Sequence, residues 1–167
     1  LQEGVMHGRE FVKYNHQGRT MTRGIKYPET EEELLGKAEQ GDADAQFKIA
    51  LCYCLGSPGI PEDKGKYIDW TTKAAEQGNP DAMFELGACY FNGSSGLAKD
   101  EKKGQELFNA GFEAFRKQAE QGDAHAQVEL GRCYFGGSGV DRDKKKGFDW
   151  YVRAAKQGNA WAMRMIG

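Results

Sequence analysis

Few residues of this 167-residue chain have the type and spacing that chemistry needs. The histidines are His7, His16 and His125, and no serine or cysteine motif joins them as nucleophile, base and orienting group. His125 reads as a residue on a helix surface. Cys52-x-Cys54 is a pairing that suggests a metal, but no second Cys/His pair with zinc-site spacing accompanies it. The stretches Gly56–Gly59, Gly93–Gly96 and Gly136–Gly139 lack the Gly-x4-Gly-Lys-Ser/Thr order that cradles phosphate. Lys144-Lys145-Lys146 lies beside Asp141 and Asp143 and reads as a solvated helix start. No catalytic residue, no metal ligand and no cofactor are expected.

Bulk properties narrow the field further. The formal charge is −2 with 29% charged residues, so there is no basic footprint for nucleic acid. No run of about 18 apolar residues occurs, so no membrane span is expected. Cys52, Cys89 and Cys133 each precede a tyrosine and occupy one repeated slot. Such positions in stacked repeats lie beyond the Cα separation of about 7 Å that a disulfide tolerates. Cys54 points away from Cys52 on a helix. All four read as small, reduced packing residues. This favours a cytoplasmic, reducing compartment, with a periplasmic or secreted location left open.

The elements around these residues recur. Ala-Glu-Gln-Gly appears at Ala38–Gly41, Ala75–Gly78 and Ala119–Gly122, and returns as Ala155-Lys-Gln-Gly158. The glycines stand 37, 44 and 36 residues apart. A period in that range signals a repeat architecture in which each unit is one supersecondary element. Each Gly suits the left-handed residue that closes a helix, and the following Asp or Asn caps the next one. The first helices read Ala45–Tyr53, Ala82–Tyr90 and Ala126–Tyr134, with apolar residues at helical spacing. Gly87 and Gly131 lie inside them, each costing about 1 kcal/mol relative to Ala, which implies a closely approaching neighbour. Glycine loops follow, with Ile60, Leu97 and Val140 in one slot as plugs. Asp63, Asp100 and Asp143 then cap second helices, two of which carry Trp70 and Trp150.

The second unit departs from this plan. Gly104 to Gly122 spans 18 residues where Gly147 to Gly158 spans 11. The seven-residue insert is roughly two helical turns and carries Phe108, Phe112 and Phe115. It reads either as an extension of the core or as a projecting helix that meets a partner.

Residues 1–29 fall outside the repeats and read as an N-terminal arm or a short hairpin through Phe11–Tyr14 and Arg19–Arg23. Residues 30–167 form the array, about three full units with partial units at both ends. Thr30-Glu-Glu-Glu33 has the form of a capping box. The sequence stops in mid-motif at Met165-Ile166-Gly167 with Trp161, Met163 and Met165 uncovered. That end is expected to be either the cut of a longer parent or a self-association surface.

Leu130-Gly131, Tyr134, Gly136–Gly139, Val140, Asp143, Trp150-Tyr151 and Ala154-Ala155-Lys-Gln-Gly158 together resemble the Sel-one-like repeat family, a relative of the tetratricopeptide repeats. The resemblance covers about four-fifths of the chain, from residue 30 onward. Two departures stand out: Gly65, Gly104 and Gly147 where the family has Ala at the start of the second helix, and Ala50 where it has Gly. The resemblance implies an all-α fold, a right-handed α-solenoid of helix pairs, whose members serve as adaptors, scaffolds or regulators. Bacterial relatives include proteins similar to host-interaction factors and to immunity proteins of toxin systems. A cysteine-rich branch is linked to β-lactam binding and joins its two helices by a cysteine pair. The second helices here hold no Cys, which argues against a β-lactam-binding hydrolase, the alternative to a binding module.

By the same resemblance the first helices line a concave groove for a protein or peptide segment. The expected partner-binding stripe is Asp44, Phe47, Leu51, Asp81, Phe84, Ala88, Asn92, His125, Val128, Arg132 and Arg164, with Phe91, Phe135 and Trp161 nearby. Phe47, Phe84 and Val128 share one slot. They read either as an apolar ladder on the groove wall or as ordinary core between repeats.

Overall fold

The computed structural model describes residues 29–57 and 59–167, and ahead of them the backbone of three strands. Strands β1 (Val5–His7), β2 (Glu10–Tyr14) and β3 (Thr20–Ile25) pair antiparallel in that order. The side chains of residues 1–28 and the segment 15–19 of the expected hairpin lie outside the described residues, as does Pro58. Eight helices follow: α1 (Glu31–Glu39), α2 (Ala43–Leu55), α3 (Lys64–Glu76), α4 (Pro80–Asn92), α5 (Glu101–Glu120), α6 (Ala124–Gly136), α7 (Lys144–Lys156) and α8 (Ala160–Ile166). They fall into two compact units, Leu1–Gln77 and Gly78–Gly167.

Side-chain caps set each helix start. Asp42, Asn79, Asp123 and Asn159 accept the backbone N–H of Ala45, Ala82, Ala126 and Ala162 at 2.7, 2.9, 2.7 and 2.9 Å. Asp63, Asp100 and Asp143 do the same for the second helices. Thr30 and Glu33 close the capping box on α1. Each cap contributes about 0.5–2 kcal/mol. Gly41, Gly78, Gly122 and Gly158 have φ of 93°, 87°, 99° and 84°, a region where a Cβ is strained, so the helix ahead of each cap stops there.

A second device closes the glycine loops. The N–H of Asp63, Asp100 and Asp143 donates to the carbonyls of Tyr53, Tyr90 and Tyr134 at 2.9, 2.8 and 2.9 Å. The ammonium groups of Lys66, Lys103 and Lys146 lie 5.0, 4.1 and 5.6 Å from the centres of those same rings, an attraction between cation and aromatic face. The repeated tyrosine therefore holds both ends of the loop together. Ile60 and Val140 plug their loops onto the neighbouring core clusters, as expected.

The caps also fix which residues correspond between repeats, and they correct one equivalence. Counting from Asp63, Asp100 and Asp143, the counterpart of Gly104 and Gly147 is Tyr67, not Gly65. Gly104 faces Gly87 and Phe91, and an added Cβ would stand 2.8 Å from the Gly87 carbonyl oxygen and 2.9 Å from the Phe91 Cβ. Gly147 faces Phe135, whose ring such a Cβ would meet at 2.5 Å. Gly131 lies against Tyr151. These glycines let the paired helices approach, the role that the interior glycines of the first helices implied. In α2 and α3 one pair is reversed in size, with Cys54 standing for Phe135 and Tyr67 for Gly147, and the other is evened out, with Ala50 standing for Gly131 and Thr71 for Tyr151. Gly65 has only its own cap side chain nearby.

The Gln of Ala-Glu-Gln-Gly has a structural task that periodicity did not disclose. Within the first unit Gln46 Nε2 donates to the Ala38 carbonyl at 3.0 Å, and Gln77 Nε2 donates to Gln46 Oε1 at 2.6 Å. Within the second, Gln127 donates to the Ala119 carbonyl at 3.2 Å and accepts from Gln157 at 2.8 Å. Gln46 and Gln127 are buried, and these bonds satisfy amide groups that would otherwise be costly to bury. The insert in α5 serves the core: Phe112 and Phe115 are buried with Leu130 and Cys133, and its outer face carries Glu113, Arg116 and Glu120 in ion pairs.

Candidate functional site

The sequence stripe divides between the two units. In Leu1–Gln77, Asp44 is exposed, and Phe47 and Leu51 are half-buried, Leu51 packing on the cluster of Leu34, Ile49 and Cys52. In Gly78–Gly167 two of the expected residues turn inward. The Phe84 ring lies 5.5 Å from Phe108 and 5.6 Å from Phe115. Val128 is 7% exposed and packs with Ala154, Ala155 and Ala162. In this unit the shared slot is core between helices.

What remains at the surface of the second unit is built from the first turns and outer faces of α4, α6 and α8. Asp81 and His125 sit at one position of two successive first helices, each one residue inside its helix. Their side chains meet: His125 Nε2 is 3.2 and 3.1 Å from the two carboxylate oxygens of Asp81. The Phe115 ring packs edge-on against the imidazole at 6.0 Å. The hydrogen bond to Asp81 raises the His125 pKa, against a smaller lowering from burial. Two turns on from His125, Arg132 is paired with Glu129 at 3.1 Å and its side chain is 61% exposed. Ala88 is half-buried, and Asn92 and Arg164 are exposed.

The aromatic members behave differently from one another. Phe91 is 38% exposed, with its ring 6.0 Å from Phe108. Phe135 is half-buried and stacks on Tyr151 at 5.2 Å and 9°. Trp161 meets the same Tyr151 edge-on at 5.2 Å. Sequence reasoning grouped these residues by their place after a tyrosine or at the chain's last motif. It missed the Asp81–His125 pair, whose signal was present as a shared position in consecutive repeats.

Among the described residues no cluster of His, Cys, Asp and Glu is arranged to hold a metal, and no helix is long and apolar enough to cross a membrane. Cys52 and Cys133 are buried thiols whose pKa burial pushes up to about 11 and about 12. A thiol so disfavoured as thiolate is a poor nucleophile. The surface of the second unit carries charge pairs, amides and partly exposed rings.

Capped helix pairs, glycine-mediated contacts and clamped loops, repeated in sequence, define an all-α repeat array of the solenoid class. The Sel1-repeat family model matches residues 43–79, 80–113 and 124–159, and the chain belongs to that family. A Sel1 repeat protein from Oxalobacter formigenes, solved by crystallography, is 34% identical, covering 81% of this chain and 95% of its own, with a TM-score of 0.51. A protective antigen present in uropathogenic Escherichia coli strains is 30% identical over 80% of this chain and 34% of its own, with a TM-score of 0.45. An immunity protein from Pseudomonas aeruginosa is 26% identical over 72% of this chain and 55% of its own, with a TM-score of 0.41. No curated protein matches the chain. Sel1-repeat proteins are in general protein–protein interaction modules.

Proposed function

We propose that this chain is a binding module that holds a partner protein against the outer faces of its first helices. In the second unit the contact residues are Asp81, Ala88, Phe91, Asn92, His125, Arg132, Phe135, Trp161 and Arg164. Asp44, Phe47 and Leu51 are the corresponding residues of the first. Phe84 and Val128 act behind this surface by holding the helices together. The observation that carries the reading is the row Asp81, His125 and Arg132, with Phe91: charged and aromatic groups kept at the surface of helices whose inner faces are fully packed. Arginine and aromatic residues on a rigid support are the usual anchors of protein interfaces. An immunity, effector or regulatory role fits such a module, and each is a role of binding.

The test places a photo-crosslinking residue at Asn92 or Arg132, and as a control at Glu113 on the outer face of α5. In extracts of the native host, Asn92 and Arg132 are expected to trap one common protein that Glu113 does not. Arg132→Glu in the otherwise native chain is expected to weaken its capture. Crosslinks equally strong at Glu113, or capture indifferent to Arg132→Glu, refute the assignment of this surface.

A further inference from the structure

We propose that α7 of one copy of this chain packs on α1 of a second copy, seating Phe148 against Gly36. The inference goes beyond the binding reading above, and the α7 and α1 residues it uses are not among those contact residues. It starts from how helices meet inside the second unit. There, glycines in helix interiors face aromatic side chains: Gly111 faces Phe84, Gly131 faces Tyr151 and Gly147 faces Phe135. One ring and one glycine have no such counterpart. Phe148 of α7 is 44% exposed, more than any other Phe, Tyr or Trp among the described residues. Gly36, inside α1, has nothing within 4 Å of a Cβ position among the described residues. The place of Phe148 is one that takes a neighbour. Its counterpart in α5, ten residues before the closing glycine, is Phe112. Phe112 is 6% exposed and meets Tyr134 of the next hairpin edge-on at 5.5 Å.

Charge selects a second copy as the neighbour. Lys145 and Val152 flank Phe148 on one face of α7, with Lys156 a turn further on. Residues 141–167 as a whole carry seven Lys or Arg against three Asp. On α1, Glu32 and Glu39 flank Gly36 on one face, and both are exposed. Residues 29–44 carry seven Asp or Glu against one Lys. The charges at the edges of the two faces, Asp149 on α7 and Lys37 on α1, are opposite as well. Two α7 faces brought together set lysine against lysine, whereas α7 on α1 sets lysine against glutamate. This chain itself therefore supplies the acidic face with a small residue at its centre that Phe148 and its lysines fit. The contact is heterologous: each copy gives α7 to one neighbour and α1 to another.

Sedimentation velocity of the full chain is the test. The chain is expected to self-associate as concentration rises, and added salt to weaken the association by screening. Phe148→Gln changes an exposed residue, and Gly36→Gln adds a side chain where its own copy leaves room. Both variants are expected to keep the native circular dichroism. Each is expected to weaken self-association at least about tenfold, a difference of about 1.4 kcal/mol. Mixed in equal amounts, the two variants are expected to form a dimer of native affinity, because α1 is intact in one and α7 in the other. A chain that stays monomeric overturns the proposal, as do variants that fail to complement each other. So does association that Phe148→Gln weakens and Gly36→Gln leaves unchanged, since the α7 face then pairs with itself.

Discussion

Gly36→Ala and Gly131→Ala are the same chemical change in the middle of two helices, and the structure requires opposite outcomes. A Cβ at Gly36 meets nothing within 4 Å. The substitution removes the entropic penalty of a helical glycine and is expected to stabilise the chain by about 0.5–1 kcal/mol. A Cβ at Gly131 would come within 3.0 Å of several ring carbons of Tyr151. That ring has no room to retreat: it is 2% exposed, stacked on Phe135 and edge-on to Trp161. Overpacking of this kind costs about 1–3 kcal/mol or more, which outweighs the same propensity gain. The net expectation is a loss of about 1–2 kcal/mol, a fall in Tm of about 2–8 °C for a chain of this size. Urea titrations followed by circular dichroism measure both. The chain also contains its own rescue, because Ala50 and Thr71 stand where Gly131 and Tyr151 stand. Tyr151→Thr alone is expected to cost about 3 kcal/mol through lost burial. In the double variant the clash is absent, so the two losses should fall short of additive by about 1–2 kcal/mol. If Gly131→Ala stabilises as much as Gly36→Ala, or if the pair is additive, close helix approach is not what keeps this glycine.

Three further outcomes follow from the same geometry. Gln127→Met, which copies Met83 at the equivalent position, removes the bonds to the Ala119 carbonyl and from Gln157, though the Ala119 carbonyl keeps the Gly122 N–H, and is expected to cost about 1 kcal/mol in the same titration. His125 is expected to titrate above its ordinary value by NMR and to lose that elevation in Asp81→Asn; because the folded pKa is raised, the pair's contribution to stability is full below the unfolded value near 6.5 and fades as pH rises through the folded one. Cys52 and Cys133 are expected to resist iodoacetamide at neutral pH in the folded chain and to react at once in denaturant; rapid labelling without denaturant contradicts their burial.

How much of this was legible in the sequence depends on whether the signal was local. The caps Asp42, Asn79, Asp123 and Asn159, and the closing glycines before them, act within one turn, so their spacing alone located the helix boundaries. The interior glycines also spoke plainly, because a helix tolerates a glycine at a cost that only a close neighbour explains. Pairings between elements were harder. Gly65 was grouped with Gly104 and Gly147 by residue type, whereas the caps put Tyr67 there. Matching identical letters fails when a large–small pair exchanges sides, since the sum of volumes is kept while both letters change. The Gln46 and Gln127 hydrogen bonds were likewise hidden, because a glutamine in the first turn of a helix reads as a surface residue until its partners are known. At the candidate surface, the single slot of Phe47, Phe84 and Val128 carried two readings, and burial of Val128 among residues from α7 and α8 shows why type alone could not choose between them.

The exchange of large and small residues bears on how such a chain acquires a binding specificity. In the first unit the bulk sits on the second helix as Tyr67, with Cys54 in the slot of Phe135; in the second it sits on the first helix as Phe91 and Phe135, opposite Gly104 and Gly147. Each hairpin is thus packed to its own solution, and the neighbours are joined by backbone caps, clamped loops and, at two junctions, a glutamine pair. Stability in repeat arrays is roughly a sum of unit and nearest-neighbour terms, so a position that belongs to neither term is free to change. Asp44, Asp81, His125 and Trp161 occupy one repeated position with three chemistries, and what it contributes is specific to each repeat: His125 pairs with Asp81, and Trp161 packs on Tyr151. Capping holds the backbone while the side chain two residues inside the helix varies from acid to imidazole to indole. Selection for a partner can therefore act on this position while the caps hold the backbone, and the proposed contact surface combines it with the partly exposed rings of Phe91 and Phe135, whose other faces pack within their hairpins.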